Sequence, residues 1–154
     1  MPAIRVTDVV QVCVVVRDLD ASVRTYYHDF GIGPWAIYAF DPQTVDDLRQ
    51  DGAPVDTAWR LAIAQVGAMM WELIQPLDER STYARFLAEH GEGVHHVAVG
   101  VESFDDAVAA RTVELSGTYE GVSFAYLKTV PELGATLEIF DRIPEGQPPK
   151  ETYP

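Results

Sequence analysis

Two glutamates interrupt apolar segments in different halves of the sequence. Glu72 lies within residues 70–74 and Glu138 within residues 136–140, and most of their neighbours are apolar. Burying an ionised carboxylate without a partner costs several kcal/mol. Two such glutamates at matching places therefore favour a shared cation. The alternative is that each glutamate faces solvent on a half-exposed strand.

A histidine and a glutamine open two similar segments. Gln11 precedes a valine-rich stretch and His96 begins the comparable stretch 85 positions later. Taken singly, each has a simpler interpretation, as a hydrogen-bonded glutamine or a core histidine. Together with Glu72 and Glu138 they predict one divalent metal ion. An amide, an imidazole and two carboxylates suit zinc, cobalt, nickel or manganese, and open coordination positions would bind a substrate with adjacent oxygens.

The spacing of these residues predicts a duplicated unit. The two glutamates are 66 positions apart, whereas Gln11 and His96 are 85 apart, so the first unit carries a longer connection at about residues 41–56. Each unit reads as strand, helix and three strands. We expect an α+β fold in one domain, residues 1–154, in which two βαβββ modules, about 8–77 and 93–142, form a curved mixed sheet around a central cleft.

The sequence also predicts where the helices that support these strands begin and end. The first begins near Asp18 or Asp20 and ends before Gly31, and the second runs from Ser81 to Gly91. The third is predicted from about Ser103 to Ser116, closed by Gly117. The strands are expected at residues 34–40, 58–66, 69–74, 122–127 and 135–140, and the Pro-rich tail from Pro144 is expected to be extended or frayed.

Two further polar residues receive structural interpretations. The lone cysteine, Cys13, excludes a disulfide framework and reads as a small buried hydrophobe. His95 is expected to face away from His96, with a supporting role at most. The tryptophans at 35, 59 and 71 indicate either core packing, favoured for at least two of them, or a roomy aromatic pocket. We expect Trp59, Arg60 and Trp35 to contact the substrate.

The composition excludes several classes of partner. The net charge is −13 and only two residues are lysines, so a nucleic-acid partner is not expected. The same charge counts modestly against a ligand with many phosphates. No apolar run reaches the roughly 20 residues that a membrane-spanning helix needs, and no signal peptide is readable. We expect a cytoplasmic protein with a small-molecule substrate.

At this point the sequence resembles the vicinal oxygen chelate superfamily, which includes glyoxalase I, methylmalonyl-CoA epimerase, extradiol dioxygenases and bleomycin-resistance proteins. The resemblance covers residues 9–142. It implies a metal ligand on the first and last strand of each module, the positions of Gln11, Glu72, His96 and Glu138. Residues 72–77 and the Gly-Glu-Gly-Val-His-His stretch at 91–96 are most similar to the epimerase branch. The resemblance also implies a homodimer.

The sequence departs from the epimerase pattern in two places. Epimerases usually have histidine where this chain has Gln11, whereas a branch of glyoxalase I has the ligand set found here. The strand at 58–66 also lacks the carboxylate that would be a second base. The resemblance implies a metal-dependent isomerase or lyase with Glu138, and secondarily Glu72, as catalytic carboxylates. Among these reactions, the resemblance favours an epimerase-like activity first and a lactoylglutathione-lyase-like activity second. The alternative is a non-catalytic protein that sequesters an aromatic molecule.

Overall fold

One mixed sheet, in this computed structural model of the protein, contains the eleven strands of the described residues, 3–142 and 148–154. The elements in chain order are β1 (Val6–Val15), α1 (Leu19–Phe30), β2 (Trp35–Phe40), β3 (Val45–Gln50), β4 (Ala53–Pro54), β5 (Trp59–Val66), β6 (Met69–Pro76), α2 (Thr82–His90), β7 (Gly93–Val101), α3 (Phe104–Ala110), β8 (Val113–Tyr119), β9 (Val122–Leu127), α4 (Val130–Leu133), β10 (Thr136–Phe140) and β11 (Glu151–Tyr153). The α+β fold class predicted from the sequence is confirmed.

The strand order reveals two units joined at the centre of the sheet. It runs β11-β2-β5-β6-β1-β7-β10-β9-β8-β3-β4. The first strands of the two units, β1 and β7, pair antiparallel, and each has the last strand of its own unit as a parallel neighbour on the other side. This arrangement brings the polar residues of all four central strands together.

The sheet is strongly curved. In the strand order, β2 and β8 are seven places apart, which would separate them by about 34 Å in a flat sheet. Yet the ring centroids of Phe40 on β2 and Tyr119 on β8 are only 4.6 Å apart. The sheet therefore curves around its inner face, which brings β2 and β8 together at this aromatic pair.

The buried apolar side chains form three hydrophobic clusters, two on the outer face of the sheet and one on the inner face. Helix α1 packs on the outer face with Val14, Trp35 and Leu73, and α3 covers the outer face of the second unit. Helix α2 contributes Tyr83 to the inner cluster, which also contains Trp59 and residues of β8 and β9. Period-two alternation of side chains along each strand explains the division.

The caps of the first two helices are as predicted. Asp18 accepts a hydrogen bond from Ala21 N and Gly31 ends α1 with φ 67°, while Ser81 accepts from Ala84 N at the start of α2. Within the residues that the structure describes, no helix combines the length and apolar character needed to cross a membrane.

The third helix was predicted too long. It ends at Ala110, and Val113–Tyr119 is a strand that pairs with β9 and β3. Gly117 lies inside this strand and does not cap a helix; a Cβ at this position would lie 2.8 Å from Val45 Cγ1. These residues form a strand because tertiary pairing outweighs the weak helical periodicity of residues 111–116.

The long connection of the first unit contains a hairpin, which the sequence did not indicate. Its strands β3 and β4 pair with each other, and β3 also pairs with β8 at the edge of the second unit. The start of the Pro-rich tail, residues 143–147, lies outside the described residues, but Glu151–Tyr153 is a strand paired with β2. This end of the chain is therefore extended and hydrogen-bonded.

Candidate metal centre and cavity

The registers of the four central strands place the predicted ligands in two adjacent rows. Cys13 is the direct neighbour of Glu72 on β6 and of His96 on β7. In the next row, Gln11 and Glu138 both lie beside Ala98. Residues two positions apart share a face of a strand, so all of these side chains lie on the inner face.

Three of the four predicted ligands have charged atoms in close contact. His96 Nε2 is 3.0 Å from Glu138 Oε2 and 3.4 Å from Glu72 Oε1. The imidazole is completely buried and the two glutamates are 5% and 6% exposed. The alternative interpretation, in which these carboxylates face solvent on half-exposed strands, is therefore wrong. Gln11 is also buried and lines the same cavity as the glutamates.

The electrostatics of the cluster follow from its burial. Burial raises the pKa of the Glu138 carboxyl, and Glu72 adds to this, although His96 opposes it. Burial lowers the pKa of His96, but the Glu138 carboxylate, and Cys13 in its thiolate form, outweigh it and raise that pKa well above the ordinary value. Burial also raises the pKa of Cys13 and keeps it a neutral thiol. The Glu138 carboxylate is therefore the neighbour that stabilises a positive charge on His96.

The donor atoms fit a divalent metal ion. His96 Nε2 and Glu138 Oε2 are buried and neither has a hydrogen bond, a costly state for polar atoms. Ligands about 2.1 Å from one ion lie about 3.0–3.4 Å from each other in octahedral or tetrahedral sites, as these atoms do. Nitrogen and carboxylate donors suit zinc, cobalt, nickel or manganese.

Cys13, predicted from the sequence to be only a small buried hydrophobe, is also part of this cluster. Its Sγ, one carboxylate oxygen of Glu72 and one ring nitrogen of His96 all lie within 4.8 Å of one another. The available signal was its position two residues after Gln11, which puts both side chains on one face of β1. The thiol therefore belongs to the candidate metal centre as well as to the core.

His95 lies on the inner side with His96, contrary to the predicted opposite face. A register shift in the β1–β7 pairing at this point, from Cys13↔His96 to Val14↔Val94, forms a bulge that turns its side chain. The Nδ1 atoms of the two histidines are 2.9 Å apart. Burial lowers the pKa of His95 to about 3, so this ring is neutral and can accept a hydrogen bond from His96.

A cavity of about 520 Å³ opens above the cluster. Gln11, Glu72 and Glu138 contribute polar groups to its lining, and eight aromatic side chains contribute to its wall. These aromatic residues are Tyr38, Phe40, Trp59, Tyr83, Tyr119, Phe124, Tyr126 and Phe140. Such a wall excludes water, which strengthens any electrostatic interaction made beside the carboxylates.

The three residues expected to contact a substrate are separated by the sheet. Trp59 lines the cavity, but Trp35 is buried with the outer cluster beneath α1. Arg60 follows Trp59 on the strand and so points to the outer face, where it pairs with Asp20 and Glu151. Strand alternation places both Trp35 and Arg60 away from the cavity.

Two tyrosines near the cluster were not singled out from the sequence. The Tyr83 and Tyr126 hydroxyls are 2.6 Å apart, and both side chains line the cavity. The Tyr126 ring lies 4.5 Å from the His96 ring between centroids. Burial raises the pKa of both phenols well above the ordinary value, so each remains a neutral donor or acceptor. The alternation of Phe124 and Tyr126 in β9 was the available signal.

Solved structures with the same fold come from several bacteria. A variant of Streptomyces coelicolor methylmalonyl-CoA epimerase in complex with 2-nitronate-propionyl-CoA is 23% identical, with a TM-score of 0.66 over 91% of this chain and 100% of that one. The Mycobacterium tuberculosis methylmalonyl-CoA epimerase is 24% identical, with a TM-score of 0.64 over 90% of each chain. A hypothetical protein from Bacillus halodurans is 20% identical, with a TM-score of 0.65 over 90% and 96%.

At these identities the structural similarity establishes the fold alone. No functionally curated protein sequence matches the chain. A family model described as Glyoxalase/Bleomycin resistance protein/Dioxygenase superfamily matches residues 10–114, which include Gln11, Glu72 and His96. Sequence and fold thus agree, and the chain belongs to the glyoxalase/bleomycin resistance protein/dioxygenase superfamily, the vicinal oxygen chelate proteins.

Proposed function

We propose that this protein is a divalent-metal-dependent isomerase or lyase that moves a proton on the carbon next to a substrate carbonyl. The observation that supports this most directly is the contact of His96 Nε2 with Glu72 and Glu138 at the base of an aromatic cavity. Gln11, Glu72, His96 and Glu138 would hold the ion. The residues fit it because buried donor atoms there lack hydrogen bonds.

Glu138 is the proposed proton-transferring base. Burial raises the pKa of its carboxyl, which brings a carboxylate closer to the basicity that proton abstraction near neutral pH needs. The aromatic wall would keep bulk water from the carbon undergoing exchange. A bound divalent ion would supply Lewis-acid stabilisation of the charge that develops on the carbonyl oxygen.

Glu72 is the proposed second catalytic carboxylate. It lines the same cavity as Glu138, and it comes from the other half of the chain. No carboxylate on β5 lines the cavity, because that strand presents Trp59, Leu61 and Ile63 there. Glu72 and Glu138 are the buried carboxylates among the described residues that line the cavity, so a reaction with two proton-transferring groups would use this pair.

An epimerase-like reaction on a 2-substituted acyl thioester is our leading assignment, and a glyoxalase-like rearrangement of a hemithioacetal is second. The similarity in fold to the epimerases named above supports placing the epimerase-like reaction first. Arg142 is the one cation among the described residues that line the cavity, so a polyphosphate carrier would find little charge there. A homodimer and a cytoplasmic location remain predictions from the sequence.

Solvent deuterium exchange tests the proposed reaction. The metal-loaded protein should exchange the C2 hydrogen of methylmalonyl-CoA, or the corresponding hydrogen of the methylglyoxal–glutathione hemithioacetal, faster than buffer alone. Glu138→Gln should abolish this exchange while metal content, measured by mass spectrometry, remains detectable. Glu120→Gln, at an exposed carboxylate that also lines the cavity, is the matched control and should retain exchange. Exchange undiminished in E138Q would remove Glu138 from this role.

The aromatic wall favours one competing function, sequestration of an aromatic molecule without turnover. Trp59 faces the cavity, whereas Trp35 and Trp71 lie with the outer cluster. A variant with Trp35→Phe and Trp71→Phe would therefore report cavity binding through Trp59 fluorescence. Quenching by aromatic ligands in protein stripped of metal, together with no exchange of either carbonyl probe, would favour the binding function over the enzyme.

A further inference from the structure

The first half of the chain places a thiol where the second half places a methyl group. Cys13 is followed 85 positions later by Ala98, and the repeat that relates Gln11 to His96 relates these two residues. In the sheet, Cys13 adjoins Glu72 as Ala98 adjoins Glu138. A small side chain suffices for packing at this place, so packing alone does not account for the sulfur.

The sulfur lies among buried polar atoms of neighbouring strands that contact one another. Cys13 Sγ, a Glu72 oxygen and a His96 ring nitrogen fall within 4.8 Å of one another, and Cys13 is completely buried. Independently of the cysteine, His96 Nε2 and Glu138 Oε2 are buried without hydrogen bonds. These unsatisfied atoms indicate a cation-binding site, and the thiol is adjacent to them.

We propose that Cys13 is a ligand of the metal ion held by this cluster, as a thiolate, and that it makes the site selective for thiophilic cations. This inference rests on the proposed metal centre. A zinc–sulfur bond is about 2.3 Å long and a zinc–nitrogen bond about 2.0 Å, so sulfur and nitrogen ligands of one ion lie within about 4.3 Å of each other. The three donors lie within 4.8 Å of one another, which exceeds this limit by about 0.5 Å at most.

A sulfur ligand changes the expected metal preference. Oxygen and nitrogen donors alone accept manganese and magnesium, whereas thiolate favours zinc, cadmium and cobalt. Binding would displace the thiol proton, because the thiolate is the form that ligates metals. Cys13 would therefore join Gln11, Glu72, His96 and Glu138 as a fifth donor of the site.

Cobalt absorption provides a direct test that needs no substrate. Full-length protein stripped of metal is titrated with Co²⁺, and a thiolate-to-cobalt charge-transfer band is expected in the near ultraviolet. Cys13→Ser and Cys13→Ala should lose this band while still binding Co²⁺ through the other ligands. Val14→Ala, at the next residue but on the outer face, is the matched control and should retain the band.

Competition between metals gives a second readout. In C13A the affinity for Zn²⁺ should fall at least about tenfold, whereas the affinity for Mn²⁺ should change by less than about threefold. Co²⁺ bound by the wild-type protein without the charge-transfer band would overturn the role of Cys13 and leave the metal centre standing. Failure of the wild-type protein to bind Co²⁺ or Zn²⁺ would overturn both. The wild-type spectrum decides the question even if neither variant folds.

Discussion

The ring nitrogen Nε2 of His96 lies 3.0 Å from Glu138 Oε2, although the strand register places Glu138 beside Ala98. The small side chain of Ala98 leaves the space between them open. Since the same nitrogen is 3.4 Å from Glu72 Oε1, one imidazole contacts carboxylates from both halves of the chain. In the proposed function the duplication matters because a single metal centre takes ligands from each half.

Metal binding should stabilise the fold strongly. An ion that binds only the native state at a free concentration about 100 times its Kd adds about 2.7 kcal/mol to the free energy of unfolding. For a chain of 154 residues this corresponds to a rise in Tm of about 5–11 °C. Differential scanning fluorimetry with Zn²⁺ and then excess EDTA would measure it. A His96→Ala variant should show no rise; an equal rise in that variant would place the ion elsewhere.

His95 should control metal affinity by orienting His96. Its Nδ1 is 2.9 Å from Nδ1 of His96, a contact that leaves His96 Nε2 free to face the carboxylates. His95→Phe preserves a ring against Tyr83 but removes this acceptor. Loss of such a partner typically lowers metal affinity 10–100-fold. Isothermal titration with Zn²⁺ would measure it, with exposed His90→Phe as control; unchanged affinity in H95F would argue against the orienting role.

Gly117 should be intolerant of even a methyl group. A Cβ there would lie 2.8 Å from Val45 Cγ1 and 3.1 Å from Phe124 Cζ. Gly117→Ala is expected to lower the free energy of unfolding by about 1–3 kcal/mol through overpacking, measured by urea denaturation. Gly93→Ala is the control, because nothing lies within 4 Å of a Cβ at that strand position. Adding Val45→Ala should recover part of the loss, and equal stability of G117A and G93A would contradict the prediction.

Asp78 should make stability depend on pH in the acid range. Partial burial raises the pKa of its carboxyl, but hydrogen bonds from Thr57, Arg80 and Ala58 outweigh this and lower it to about 2. A lowered folded-state pKa stabilises the protein above the unfolded value of about 4, and this contribution is lost as the pH falls toward 2. The depressed pKa therefore predicts falling stability between about pH 4 and pH 2.

Asp78→Asn tests this prediction. The side chain is partly exposed, so the loss of stability at pH 7 is expected to be about 1–2 kcal/mol. The difference from wild type should shrink as the pH approaches 3. Urea unfolding of metal-free protein at pH 7, 4 and 3 would measure it, with exposed Asp56→Asn as the control. A difference that stays constant over this range would show that the charge of Asp78 is not responsible.

The sequence by itself determined the elements with strong local signals. Asp18, Gly31 and Ser81 set helix ends through their own backbone hydrogen bonds and dihedral angles, which need no distant partner. Glu72 and Glu138 stood out because a charge inside an apolar strand needs a partner. The internal repeat then predicted that the two carboxylates meet, and the structure brings both to His96.

Tertiary structure alone decided the features that depend on pairing between distant strands. Residues 111–119 have the composition for a helix or a strand, and only their neighbours β9 and β3 select the strand. The bulge that turns His95 inward arises from the register with β1, and a one-residue shift reverses the face of a side chain. The same registers place Cys13 beside His96 and Glu72, because a contact across strands is set by curvature and alignment, which no local spacing encodes.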